Sequence, residues 1–113
     1  MTHKVTIGHW ELFFTVGLYP DGKPGELFIG NLRGPEVTVG IKGVLNQWAI
    51  AVSMLLQAGF TVEDLAKKFG HARYEPAGFT SNHNIPNALS LTDYIMRWIL
   101  AEFGIDKQKG QTT

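Results

Sequence analysis

One stretch, Thr15 to Gly30 (TVGLYPDGKPGELFIG), commits this chain to antiparallel strands. Apolar residues flank Pro20-Asp21-Gly22, and a second turn pair, Pro24-Gly25, follows. Proline presets φ, aspartate bonds its own backbone and glycine accepts positive φ, so the segment reads as strand, tight turn, strand. The alternation extends upstream. Val5 and Ile7 alternate with Lys4, Thr6 and Gly8. Trp10, Leu12, Phe14, Val16 and Leu18 then recur at period two against Glu11, Phe13, Thr15 and Gly17. Beyond the turn, Leu27 and Ile29 alternate with Glu26, Phe28 and Gly30. A meander of about three strands is expected. Phe13 and Phe28 interrupt its polar side, which leaves that face open to a dimer contact or to cover by the tail.

After a connector at Asn31 to Pro35 and a candidate short strand at Glu36 to Val39, the period changes at Gly40. Ile41, Val44, Leu45, Trp48, Val52, Leu55 and Leu56 recur at helical spacing, with Gly59 placed as a stop. Ala49, Ile50, Ala51 and Met54 make this helix apolar almost all round, which predicts a central, buried element. Thr61 and Asp64 have the spacing of a capping box for a second, short helix ending near Gly70. Ser90 and Asp93 open a third helix, which Gly104 stops. The order β-β-β-α-α-α predicts an α+β fold, a small antiparallel sheet with three helices packed on one face. A single domain is expected over residues 1–104, with a polar, disordered tail over 105–113.

Composition narrows the function classes. Ten basic and ten acidic residues cancel, so no global field draws in nucleic acid or anionic lipid. The chain has no cysteine, which removes disulfides, thiol nucleophiles and cysteine-ligated metals, and suits a reducing cytoplasm. The apolar run from Trp48 to Leu56 contains Ser53 and is too short to cross a bilayer. The N-terminus lacks the basic-then-apolar order of a signal peptide. A cytoplasmic protein with no membrane or nucleic-acid partner is expected.

Chemistry-bearing residues are few. His3, His9, His71 and His83 show none of the spacings of a helical metal site, and surface or hydrogen-bonded histidines are the preferred reading. Ser81 lies near His83, but no nucleophile elbow surrounds it. Ser53, among apolar helical neighbours, is expected to bond backbone. The glycines match neither phosphate-loop nor dinucleotide patterns, although Gly40 to Gly43 can offer helix N-terminal amides to an anion. No metal, cofactor or catalytic constellation is implied.

The segment Gly70 to Leu89 draws attention because unstructured connections beyond about 12–15 residues are uncommon in compact domains. If it is extended, His71, Arg73 and Glu75 share one side, with Ala72 and Tyr74 on the other. Asn82, His83, Asn84 and Asn87 add donors and acceptors. His71, Arg73, Glu75, Asn82, His83 and Asn84 are therefore the candidate binding residues for a ligand or partner. Arg73 either forks onto a phosphate or carboxylate, or pairs with Glu75 or a helix carboxylate and pins the loop. The pin is the preferred reading.

A set of short motifs, in order, carries a family resemblance. They are Thr2-His3-Lys4, Thr15-Val16-Gly17-Leu18-Tyr19, Asp21-Gly22 with Pro24-Gly25-Glu26, and Ala49-Ile50-Ala51-Val52-Ser53. Arg73-Tyr74-Glu75-Pro76-Ala77-Gly78 and Asp93-Tyr94-Ile95 with Arg97-Trp98 complete it. From about Thr2 to Phe103 the chain resembles the C-terminal module, the TSCPD domain, of adenosylcobalamin-dependent (class II) ribonucleotide reductases. The literal Thr-Ser-Cys-Pro-Asp string is absent, as is every cysteine that reductase chemistry needs. The resemblance therefore implies a non-catalytic accessory or interaction domain that self-associates as a homo-oligomer or binds a reductase chain. The alternative is a small-ligand domain that senses a nucleotide or anion through loop 70–89, using Arg73, Lys42 or Arg33.

Overall fold

The computed structural model describes residues 1–104, so the tail expected over 105–113 lies outside the described residues. Three strands, β1 (Thr2–Ile7), β2 (Trp10–Leu18) and β3 (Pro24–Arg33), form an antiparallel sheet in the order β1-β2-β3. The second hairpin is built by the turn chemistry read from sequence. Gly22 takes φ 86° and its N–H donates to the Tyr19 carbonyl at 2.8 Å. The Asp21 carboxylate accepts from the Lys23 N–H at 2.9 Å. At Gly25 a Cβ would sit 2.7 Å from the Tyr19 ring, so a larger residue there requires that exposed ring to move aside. The pairing skips Gly30, because Phe14 faces Ile29 while Phe13 faces Asn31. This bulge changes the phase of the strand. Leu27 and Leu32, an odd number of residues apart, are thereby both buried.

Val5, Ile7, Leu12, Phe14, Val16, Leu27 and Leu32 make the buried face of the sheet. On the opposite face, Glu11 pairs with Lys4 at 3.3 Å and with Arg33 at 3.6 Å, and the Lys4 ammonium lies 5.2 Å from the centre of the Phe13 ring. Phe13 is thus half-covered by its neighbours, while Phe28 stays exposed.

Three longer helices follow: α1 (Val39–Gln57), α2 (Val62–Phe69) and α3 (Leu91–Phe103). α1 lies along β3, fastened by Ser53, whose Oγ accepts from the Leu27 N–H at 2.8 Å. The same hydroxyl reaches the carbonyls of Ala49 at 2.9 Å and Leu27 at 3.2 Å, so Ser53 does bond backbone, and across two elements. α3 crosses the sheet with Trp98 edge-on to Phe14, ring centres 5.1 Å apart. α2 packs on α3, started by a full capping box between Thr61 and Asp64.

Three expectations need correction. No strand forms at Glu36 to Val39. Glu36 takes φ 66°, Val37 N–H bonds the Gly34 carbonyl, and Thr38 caps α1 through Ile41 N–H at 3.1 Å. The β-branched triplet Val37-Thr38-Val39 imitates a strand, but the free amides at a helix start give Thr38 a better use. Second, α1 is not buried all round. Leu45, Ala49, Val52 and Leu56 face inward, whereas Val44, Ile50 and Met54 are exposed. A single sheet and its neighbouring helices cover only one side of it. Third, segment 70–89 carries its own small hairpin, β4 (Gly78–Phe79) with β5 (Asn87–Ala88). It is joined to the main sheet by a bridge between Ile7 and Thr80.

α1 is also long and apolar enough, by length and composition, to cross a membrane. Its inward stripe is nevertheless part of the core formed with the sheet.

Candidate functional site

The connection from Gly70 to Leu89 is held by α3, and the group that holds it is Asp93. Its carboxylate is fully buried. Oδ1 accepts from the His71 N–H at 2.7 Å, and Oδ2 from the Leu89 N–H at 2.9 Å. One side chain thus ties both ends of the connection to one helical turn. Arg97, one turn later, places a guanidinium nitrogen 3.0 Å from Oδ2 and also donates to the Asn87 carbonyl. Ser90 caps the helix through the Asp93 N–H at 3.0 Å and donates to the Ala72 carbonyl at 2.6 Å. Asp93 does not return a bond to the cap, as a carboxylate at this position does in α2; the loop takes both of its oxygens.

This geometry corrects the reading of Arg73. Among the described residues Arg73 forms no ion pair and its side chain makes no hydrogen bond, and it is exposed. The loop is pinned, but by Asp93 and Arg97. The expected alternation of sides also fails. His71 adopts φ 64°, which interrupts an extended course, and the Glu75–Pro76 peptide is cis. Tyr74 and Glu75, assigned to opposite sides, line the same cleft. The ring of His71 is exposed, with Nδ1 4.0 Å from Asp93 Oδ1.

Asn82 is used internally. Its Nδ2 donates to the Tyr94 hydroxyl at 2.9 Å, and its Oδ1 accepts from the Asn84 N–H at 3.0 Å. The Tyr94 hydroxyl lies 2.7 Å from His3 Nε2. With Asn82 donating to its oxygen, that hydroxyl is free to donate its proton to His3, an arrangement that suits an unprotonated Nε2. Burial lowers the His3 pKa, partly offset by the charge of Glu102, and burial likewise raises that of Tyr94. His83 and Asn84 are exposed. The six candidate residues therefore do not converge on one point. His71 and Asn82 are tied into the fold, Arg73, His83 and Asn84 are exposed, and Glu75 lines a cleft. No group of three or more histidines and carboxylates able to hold a metal lies among the described residues.

The His3–Tyr94 pair predicts a direction of pH dependence. The folded state prefers neutral His3, so the unfolded chain binds more protons below its ordinary value of 6.5. Stability is complete above that value and is lost as pH falls through it toward the lowered folded value. Urea unfolding of wild type and His3→Gln at neutral and mildly acidic pH checks this. The wild type should lose more stability on acidification than the variant.

A cleft of about 660 Å3 lies between the N-terminal half of α1, Tyr74–Pro76 and the start of α3. Trp10, Ile41, Val44, Trp48, Tyr74 and Leu91 make its walls, and Glu75 is the one charged lining residue among the described residues. The Tyr74 hydroxyl is fixed by Thr92 Oγ1 at 2.7 Å. Neither Arg33, Lys42 nor Arg73 lines it. Sequence reasoning missed this cleft because its parts come from four separate segments. It missed Asp93 and Arg97 although their i, i+4 spacing was readable as a helical pair.

The sequence has recognised relatives. The sequence profile of the TSCPD domain matches residues 1–103. The chain belongs to the TSCPD domain family. Similar proteins include the vitamin B12-dependent ribonucleotide reductase of Rhodopirellula baltica, 43% identical over 99 residues, which cover 88% of this chain and 9% of that protein. The enzyme of the same name from Streptantibioticus cattleyicolor is 35% identical over 103 residues, 91% of this chain and 17% of that protein. That of Agrobacterium fabrum is 32% identical over 103 residues, 90% and 8% respectively. The TSCPD module described here thus spans between 8% and 17% of the length of these relatives. No solved structure matches the chain significantly.

Proposed function

We propose that this TSCPD module is a non-catalytic accessory domain that works by association, with itself or with a vitamin B12-dependent ribonucleotide reductase chain. One observation carries the reading. Nearly the whole chain is similar to a small part of such reductases, yet it contains no cysteine with which to perform thiol radical chemistry. Its chemistry-bearing side chains are consistent with this, since Asp93, Arg97, Asn82 and Tyr94 are spent on holding the loop. An exposed apolar helix face supplies the kind of surface that association uses.

The alternative, a nucleotide or anion sensor built on loop 70–89, has less support. Among the described residues the cleft beside that loop carries a carboxylate and no cation, which suits a neutral or cationic guest rather than a phosphate. Light scattering on a sizing column tests the leading reading, with the chain alone and mixed with a vitamin B12-dependent reductase that lacks its own TSCPD module. Comigration is expected. Elution of the two as separate species, at concentrations well above micromolar, removes the reductase from the proposal.

A further inference from the structure

We infer that the outward face of α1 is the contact between two copies of this chain, paired antiparallel about a two-fold axis at Gln47. The inference deepens the association reading above and rests on it. At about 3.6 residues per turn, the positions opposite the inward stripe are Gly40, Gly43, Gln47, Ile50, Ala51 and Met54. All six are exposed. None is charged, and Lys42, the single charged residue of α1, lies to the side of this strip. Ile50 is 52% and Met54 66% exposed, although each would be buried in an ordinary core.

Self-complementarity selects the occupant. Gln47 is near the middle of α1 and points most directly away from the core. With the axis there, Gly40 meets the partner's Met54, Gly43 meets the partner's Ala51, and Val44 meets the partner's Ile50. A large side chain opposes glycine in the first pairing and two small residues meet in the second, which lets the helices approach closely there. The two Gln47 amides meet on the axis, where each can donate to the other's oxygen. The same patch serves both copies, as a closed two-fold interface requires. Charge points the same way. An uncharged strip offers nothing to select an acidic or basic partner, but it meets its own copy without unpaired charge, and antiparallel helices oppose their macrodipoles favourably.

Area sets the strength. A helix of 19 residues is about 28 Å long and about 10–12 Å across, so the pair removes roughly 600–700 Å2 from water through α1 alone. That lies below the size of stable specific interfaces and within that of weak, transient ones, so the dimer should be weak and reversible.

Sedimentation velocity of the chain across the micromolar range provides the test. The mass should rise from the 12.5 kDa of one copy toward about twice that value. Gln47→Glu places two carboxylates on the axis from an exposed position, so the fold should be unaffected while dimerisation weakens at least about tenfold. Gln47→Lys should do the same, and mixing the two variants should restore the dimer as a heterodimer. A wild type that stays monomeric, or a dimer indifferent to both substitutions, overturns the inference. So does a monomer that floats with lipid vesicles through α1. Comigration with a reductase by a chain that stays monomeric would sink this interface while leaving the association reading intact. A dimer sensitive to Gln47 that ignores the reductase would do the reverse for the reductase arm.

Discussion

Asp93→Ala is expected to be the most damaging single substitution outside the apolar core, costing about 3–5 kcal/mol. The carboxylate is fully buried, and it satisfies two backbone N–H groups and one guanidinium at 2.7–3.0 Å. Removing it orphans the two backbone donors, and the Arg97 charge, only partly exposed, loses its counter-ion while keeping the Asn87 carbonyl. Total stability for a domain of this size is about 5–15 kcal/mol, so a fifth or more of it is at stake. Asp93→Asn should be milder yet still harmful. An amide keeps the shape but surrenders one acceptor, so either His71 or Leu89 faces a donor. Urea titration measures the loss, and amide exchange should locate it at His71 and Leu89, where the loop detaches from α3. Arg73→Ala supplies the contrast. Its side chain is exposed and unpaired among the described residues, so the change should stay within about 0.5 kcal/mol. Equal losses for Asp93→Ala and Arg73→Ala would refute the assignment of the pin.

What was legible in the sequence was local chemistry. Pro20-Asp21-Gly22 dictates a turn whatever surrounds it, and Gly22, Asp21 and Tyr19 make the bonds that such a turn makes. Thr61 and Asp64 form their capping box for the same reason. The reading failed where one residue had two local uses and distant partners decided between them. Asp93 occupies the third helical position, where a carboxylate bonding the cap is the local expectation. It serves the loop instead because His71 and Leu89 bring two amides to it. Thr38 suits a strand or a cap, and the start of α1 decides for the cap. His3 lies in a strand as an ordinary polar alternate, yet Tyr94 and Trp98, more than ninety residues away along the chain, cover it (ring centres 5.9 and 4.7 Å). Periodicity records which residues are apolar, not which side of a helix the protein covers. That is why α1 read as central.

The two sides of α1 should respond oppositely to the same substitution. Leu45→Ala and Leu56→Ala empty space in the core, where both residues are buried, and each should cost about 2–5 kcal/mol. Ile50→Ala, measured by urea unfolding at concentrations too low for self-association, should change stability by no more than about 0.5 kcal/mol. At high concentration the difference should shrink. Whatever binds the folded state alone adds to its apparent stability, by more the further its concentration exceeds Kd, so wild type should become harder to unfold as it is concentrated and Ile50→Ala should not. This concentration dependence distinguishes a covered face from a bare one. Were Ile50→Ala as costly as Leu45→Ala in dilute solution, something within the single chain would have to cover α1, and the outer strip would belong to the core. An exposed Ile50 and Met54 do nothing for the stability of the isolated domain and favour non-specific association. Their place on a strip without charge has a physical use only when a second surface closes over it.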